Sequence, residues 1–415
     1  MEVLIRRCAG LDVHKDTVVA CARIAHGNQV DREVATFQTT WRGLLALSDW
    51  LSKHGCTHVA MESTGVYWKP VWHVLEGSFE LVLANAKHIR NVPGRKTDVN
   101  DAVWIADLLA HGLIRSSFVP PEPIRQLRDL TRTRTQLMHE VSRHTLRIQK
   151  TLEDANVKLT GLISDILGAT GRAILEALIA GQTDLEALAE LRRGRLKATR
   201  EELIEALRGS VRDHHRFLLK LHLGQIDAAS AAVREVEARI GELLRPFREQ
   251  IALLITIPGV SQTTARIIVA EIGLDMSRFP TSGHLVSWAG LCPRSDESAG
   301  KRHSTRLRPG APWIKSALVQ TAWPASRKKN SYLRAQYLRL KLRRGPKKAI
   351  VAVAASILTA AYFILSRHVP YSDLGPGFLD HQDRDKIAKR LIRRLNDLGL
   401  NVEVKNAACT TLVPG

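Results

Sequence analysis

Cys8-Ala9-Gly10-Leu11-Asp12-Val13-His14-Lys15 is a run of small and apolar residues that closes on a carboxylate. Such a run reads as a buried strand with Asp12 at its end. Val59-Ala60-Met61-Glu62-Ser63-Thr64-Gly65 repeats the arrangement with Glu62. Lys96-Thr97-Asp98-Val99-Asn100-Asp101-Ala102 puts two further acids three residues apart where a helical pattern starts, so they share one face of its first turn. Four carboxylates that converge repel one another unless a cation neutralises them. A hard divalent ion suits oxygen ligands, so Mg²⁺, or Mn²⁺ in its place, is expected on Asp12, Glu62, Asp98 and Asp101.

The rest of the chain has the opposite charge. Its 415 residues carry 61 Lys and Arg against 41 Asp and Glu, a net charge of +20, which points to a polyanion as partner. A membrane surface is the rival. The length predicts two or three domains, and 45% hydrophobic residues is ample for folded cores. Cys8, Cys21, Cys56, Cys292 and Cys409 are scattered and form no CxxC pair. That argues against a disulfide framework and a zinc site, and for a reducing cytoplasm. There is no signal-peptide pattern at the N-terminus. The apolar stretch 349–365 is at the short limit for a membrane span and is read as a buried core helix, so no membrane partner is expected.

Between Ser298 and Ser372 there is no acidic residue, yet there are 16 Lys or Arg. A solvated helix surface mixes both signs, so this stretch reads as a phosphate-contacting surface. The nucleic-acid contacts expected from it are Lys301, Arg302, His303, Arg306, Arg308, Lys315, Arg327, Lys328, Lys329, Arg343, Arg344, Lys347 and Lys348, with Arg294 just before. Trp68, Trp72, Trp104, Trp288 and Trp323 read as core residues. Trp313, inside the basic stretch, is open to either core or base stacking.

Residues 1–120 alternate strand and helix patterns, which predicts an α/β domain with a mixed sheet and flanking helices. The strands fall at Cys8–Val13, Thr17–Ala22, Glu33–Gln38, His58–Met61 and Leu81–Ala84, with a helix at Asp98–His111. Pro120, Pro121 and Pro123 mark a domain edge. Residues 121–250 read as helical. Ile226, Ala229, Val233, Val236, Ile240, Leu243 and Phe247 repeat at 3-4 spacing, a coiled-coil seam. An upstream helix offers Leu127, Leu130, Leu137, Val141, Ile148 and Leu152, interrupted by Arg134 and His144. The two pair either within one chain or between chains. Oligomerisation to a dimer or tetramer is favoured. Residues 251–369 predict a mainly α domain that opens on Ile257-Pro258-Gly259-Val260. This turn resembles a helix–hairpin–helix element, though an ordinary helix start fits it as well. A polar loop is expected from Cys292 to Pro309. Residues 370–415 form a tail to which no role is assigned.

Taken in order, several of these segments resemble one family. Gly10-Leu11-Asp12-Val13-His14-Lys15, Glu62-Ser63-Thr64-Gly65-Val66-Tyr67, the Asp98–Asp101 segment, Ile257-Pro258-Gly259-Val260 and Gly290-Leu291-Cys292-Pro293-Arg294 with Glu297-Ser298 look like the DEDD insertion-sequence transposases. These are insertion-sequence family one-hundred-and-ten, the bridge-RNA-guided serine recombinases. The resemblance covers roughly residues 8–155 and 250–368. It implies a resolvase-like RNase H fold for the first domain, with Asp12, Glu62, Asp98 and Asp101 as the metal-holding tetrad. It implies Ser298 as the nucleophile toward DNA, with Ser295 and then Ser304 as fallbacks, because Ala299 intervenes where the family pattern has glycine after the serine. Double-stranded DNA at the element ends and target, and a guide RNA from the same element, are the implied partners. The setting implied is bacterial or archaeal, cytoplasmic and nucleoid-associated.

A serine nucleophile keeps the energy of the broken phosphodiester in a phosphoserine ester, so the strand is rejoined without ATP. The acids and Ser298 lie in different domains, so this reading requires a composite site within or between chains. Two rivals remain. A junction-resolving endonuclease would use the tetrad and water with no covalent step. A nucleic-acid-binding protein with a decayed site would do no chemistry.

Overall fold

The computed structural model describes residues 2–27, 29–63, 65–86, 89, 92, 100–194, 196–293, 296–298, 300–304, 306–379 and 384–400. The chain divides into two compact units, 1–120 and 121–415.

The first unit is built on a five-stranded mixed sheet. Strands β1 (Arg7–Val13), β2 (Thr17–His26) and β3 (Gln29–Gln38) form an antiparallel meander. Helix α1 (Trp41–Lys53) leads to β4 (His58–Glu62), and α2 (Trp68–Leu75) leads to β5 (Glu80–Ala84). Both later strands run parallel to β1, giving the order β3-β2-β1-β4-β5. Connections through a helix return each strand in the same direction, which is why this half is parallel. One face buries Ala9, Leu11, Val13, Val59 and Met61 under Leu44, Leu47 and Leu51 of α1 and Val71 and Leu75 of α2. The other face, carrying Cys8 and Ala60, is covered by Ile105, Leu108 and Leu109 of α3 (Asp101–Ala110). A mixed sheet with flanking helices therefore stands as expected.

Helix α3 differs from its sequence reading at the start. It begins at Asp101, and the Asn100 side chain caps it by accepting the Ala102 N–H at 2.9 Å. Asp98, expected to share the first turn with Asp101, lies outside the described residues. Asparagine is a strong N-cap, which suits it to this position.

The second unit starts with α4 (Glu122–Asp154) and returns along α9 (Asp213–Leu243). Arg134–Glu237, His144–His222 and Asp154–His215 contacts fix the pair as antiparallel. The seam residues Ile226, Ala229, Val233 and Ile240 are buried, and so are Leu127, Ile148 and Leu152. The two long helices therefore form a hairpin within one chain. The two interruptions of the apolar stripe have partners across it: Arg134 Nε donates to Glu237 at 2.6 Å, and His144 Nδ1 lies 3.2 Å from His222 Nδ1. Short helices α5 (Leu159–Leu162), α6 (Ala169–Ile179), α7 (Leu185–Glu190) and α8 (Arg200–Leu207) close a core around Ile148, Leu152, Leu219 and Leu223 at one end of the hairpin.

The rest of the unit comprises α10 (Arg248–Ile255), α11 (Gln262–Ile272), α12 (Ser282–Trp288), a β-hairpin of β6 (Asp296–Ser298) and β7 (Lys301–Ser304), α13 (Pro312–Ala325), α14 (Tyr332–Arg344), α15 (Pro346–Arg367) and α16 (Arg384–Asp397). By length and composition α15 could cross a membrane, but it packs on α10, α12, α13 and α14 and buries Val353, Ala354, Ile357, Leu358 and Ala361.

His222 is held below its ordinary value of 6.5, first by burial and then by the charges of His144 and Arg147. The unfolded chain therefore takes up this proton first as pH falls, so the histidine costs stability below about pH 6.5. Urea midpoints measured from pH 8 to pH 5 should decline through this window. His222→Gln should flatten the decline; an unchanged slope would assign the acid sensitivity to other groups.

Candidate active site

The acids of the first unit are placed by strand pairing. β1 and β4 are parallel neighbours, and the last paired positions are Leu11 and Met61. Asp12 and Glu62 each follow by one residue, so they sit side by side where the two strands end. Alternation along each strand turns them to the face that carries Cys8, Gly10 and Ala60, opposite Leu11 and Met61. That is the face covered by α3.

Gly10 sets how close α3 comes. A Cβ at this position would lie 2.2 Å from the Ala102 carbonyl oxygen and 2.4 Å from the Ala106 nitrogen. Backbone therefore rests on backbone, which only glycine allows. The direction of α3 follows from its other end, where the Ala110 carbonyl accepts the N–H groups of Leu4 and Ile5 at 2.9 and 3.1 Å. The helix thus runs antiparallel to β1, and its first residue, Asp101, arrives at the strand end that carries Asp12. A second tie holds α3 to β2. Arg23, only 3% exposed, donates from Nε to Asp107 at 2.8 Å, and Arg32 donates to both Asp107 oxygens at 2.9 and 3.2 Å.

Three of the four expected acids are therefore brought to one end of the sheet. Asp12 is 22% exposed and lies 3.2 Å from His14 Nε2, while Glu62 is buried. The donor set is all carboxylate oxygen, which fits a hard divalent ion. Among the described residues no three His, Cys, Asp or Glu stand close enough together to hold a metal. Asp98 lies outside them. The sequence reading missed Gly10, Arg23 and Asp107 as positioning residues. A glycine inside an apolar strand was the available signal for the first; nothing local marks the ion pair.

In the second unit the polar loop expected at Cys292–Pro309 is a β-hairpin. Ser298 pairs with Lys301 at its tip, and Gly300 adopts φ +73°. A glycine with positive φ suits the turn of a tight hairpin. The side chains of Ser298, Arg302 and His303, and residues Arg294 and Ser295, lie outside the description. The Ser304 hydroxyl accepts the Arg306 N–H at 3.2 Å. Of the expected nucleic-acid contacts, Lys301, Arg306, Arg308, Arg327, Lys328, Lys329, Arg343, Arg344, Lys347 and Lys348 are exposed. Lys315 differs: its ammonium donates to the Arg308 and Pro309 carbonyls at 3.2 and 2.8 Å, a tie that shapes the chain after the β-hairpin. The Pro258-Gly259 turn is also explained by packing. A Cβ on Gly259 would lie 2.7 Å from both Thr321 O and Ala325 N of α13.

Two family models match the chain. One, a DEDD transposase of the IS110 type, spans residues 9–157, and the other, described as the transposase IS116/IS110/IS902 family, spans residues 251–338. The chain belongs to the IS110 family of transposases. Membership makes it an enzyme of DNA transposition and recombination that binds DNA, and the DEDD type implies a divalent metal in general. The pilin gene-inverting protein of Moraxella bovis is 23% identical over 378 residues, covering 87% of this chain and 96% of the relative. Its counterpart in Moraxella lacunata matches to the same extent. A 43.6 kDa protein of the IS110 insertion element of Streptomyces coelicolor is 28% identical over 260 residues, 57% of this chain and 64% of the relative. The segment of this IS110-family chain from Ala9 to beyond Asp101 falls within the first match, and Ser298 within the second.

Gly10→Ala should lower the unfolding free energy by about 1–3 kcal/mol, because the added methyl meets backbone that cannot step aside. Guanidinium denaturation is the measurement, and a change under ~0.5 kcal/mol would mean that α3 does not depend on this contact.

Proposed function

We propose that this enzyme excises and inserts an insertion sequence by Mg²⁺-dependent strand cleavage and exchange through a phosphoserine–DNA intermediate, guided by an element-encoded RNA. The first unit is then an RNase H-like domain of the resolvase type. The observation that carries the reading is the register that sets Asp12 and Glu62 at adjacent parallel strand ends, with Asp101 in the first turn of a helix that begins toward the same end of the sheet. The family matches in the same order support it. Relatives named for pilin gene inversion support strand exchange over simple hydrolysis. The guide RNA comes from the family resemblance, and the net charge of +20 suits it. The setting proposed is the cytoplasm, where the DNA is.

In this mechanism Asp12, Glu62, Asp98 and Asp101 hold the metal. A bound divalent ion supplies Lewis-acid polarisation of the scissile phosphate. The Ser298 hydroxyl attacks phosphorus in line with the leaving oxygen. The Oγ–P bond forms, the P–O bond to the deoxyribose breaks, the serine proton passes to a carboxylate or water, and the leaving oxygen takes up a proton. Reversal on a second strand rejoins DNA without net loss of a phosphodiester. Lys301 and Arg306 would counter the charge that builds on the phosphate, with Arg294, Arg302 and His303 in the same role. Arg308, Arg327, Lys328, Lys329, Arg343, Arg344, Lys347 and Lys348 would contact DNA or RNA backbone at a distance from the chemistry.

The test is a denaturing gel for a covalent protein–DNA adduct, using Mg²⁺, end-labelled junction DNA and co-purified RNA. Wild type should form the adduct; Ser298→Ala and Asp101→Asn should reduce it at least ~100-fold. Cleavage that survives in Ser298→Ala without any adduct would replace this reading with a water-using junction resolvase. Loss of the adduct with EDTA and recovery with Mn²⁺ would support the metal.

We further propose that the chain works as a homo-oligomer assembled through the outside of the α4–α9 hairpin. The seam is occupied inside the chain, which makes Val233 a folding residue. Leu146, Phe217 and Leu221 are 64%, 64% and 45% exposed on the same two helices, and this supports them as the contact between copies. Phe217→Lys with Leu221→Lys should lower the mass seen by light scattering while leaving helicity intact; an unaltered mass would remove this surface from consideration.

A further inference from the structure

The second unit contains a cleft of about 780 Å³ that the chemistry above does not use. It opens between α4, α11 and α13, and its volume falls in the range of small-ligand sites. A buried ion pair forms part of its lining. Glu271 is 1% exposed, and Arg132 grips it through Nε and Nη2 at 2.8 and 2.9 Å, with Arg128 Nε at 3.7 Å. Arg132 and Arg134 line the cleft with Glu271 as the one acid among its lining residues, so the lining carries an excess of positive charge. The guanidinium of Arg132 also lies over the Trp313 ring, 5.6 Å from its centroid. A cation held by both a carboxylate and an indole is fixed before any ligand arrives.

Trp313 lines this cleft and is partly exposed, whereas Trp72 is buried in the first unit. The ring is therefore not simply core, which settles where this residue of the acid-free segment sits. Thr135, Ser316 and Gln320 add hydroxyl and amide groups around it. Walls that mix an aromatic surface with donors and acceptors, next to positive charge, match a nucleobase and its phosphate. They match poorly an apolar peptide or lipid. A paired base is closed inside its stack and cannot enter such a cleft, whereas an unpaired one can.

We infer that this cleft binds an unpaired nucleotide of a single strand, with its base against Trp313 and its phosphate toward Arg132. The inference rests on the nucleic-acid reading above and assigns that reading a second binding site, away from the carboxylates. The ligand chemistry is shared by a DNA strand opened during exchange and by an unpaired stretch of RNA.

The experiment uses the full chain and fluorescence anisotropy with labelled oligo-dT and oligo-U of about 12 nucleotides, within the footprint of single-strand sites, and a DNA duplex of equal length. Trp313→Ala should weaken single-strand binding by about 5- to 150-fold, the range of one lost base stack, with duplex affinity unchanged. Trp313→Phe should restore most of the loss. Ser316→Phe, which fills the cleft and leaves Trp313 and Arg132 in place, should weaken single strands equally and decides the matter where Trp313→Ala fails to fold. Loss on oligo-dT alone supports the inference and names DNA as the source; loss on oligo-U alone supports it and names RNA. Equal losses on duplex and single strand, or no loss in folded Ser316→Phe, overturn it. Failure of the wild type to bind duplex would instead count against the recombinase reading itself.

Discussion

The close approach of α3 to β1 at Gly10 governs the first unit. With no side chain at that position, the Ala102 carbonyl and Ala106 nitrogen rest on the strand. Because α3 runs antiparallel to β1, its N-terminus is delivered to the C-terminal ends of β1 and β4. Open sheets with parallel strands tend to collect functional groups at those ends, and the side chains this chain places toward that end are Asp12 and Glu62 from the strands and Asp101 from the helix. The Arg23–Asp107 pair holds the same helix further along. A buried guanidinium is costly unless paired, so this contact is specific about where α3 lies as well as adhesive. Among the described residues Arg23 Nη1, which is buried, has no hydrogen-bond partner.

Much of this arrangement could be read from the sequence. Asp12 and Glu62 end apolar runs, and a buried run that stops at an acid marks a strand reaching an edge where water or a ligand waits. The mixed sheet followed from strands separated first by tight turns and then by helices. The start of α3 did not follow, because Asp98 and Asn100 are both good caps and local propensity alone does not rank them. The β6–β7 hairpin reads as loop in the sequence because its strands are three and four residues long and polar. Alternation carries no signal over so few residues, and only Gly300 hinted at the turn.

The partner of the α9 seam was not legible either. A 3-4 repeat states that a helix has a covered stripe and leaves open what covers it. Here the decision is made by the intervening residues, which fold into α5–α8 and share one core with the facing ends of α4 and α9. That core draws the two long helices together in the same chain. The polar residues that break the stripe then select register, since Arg134 meets Glu237 and His144 meets His222 only in one alignment.

The acid-free segment can now be seen as several surfaces divided by core. Helix α15 is uncharged from Ala349 to Ser366 because it is packed on other helices, so its part of the segment needs no phosphate to explain it. The remaining cations gather at element ends. Arg343 and Arg344 lie in the last turn of α14, where the helix dipole favours positive charge. Lys347 and Lys348 lie in the first turn of α15, where the dipole opposes it, and no acid stands in that turn to offset them. Two exposed lysines at a helix N-terminus are a local electrostatic cost of several tenths of a kcal/mol, screened by salt. A DNA or RNA phosphate would reverse its sign, since it meets both the ammonium groups and the N–H ends of the first turn. Charges placed against their own helix are thus a stronger indication of polyanion contact than the net count of basic residues.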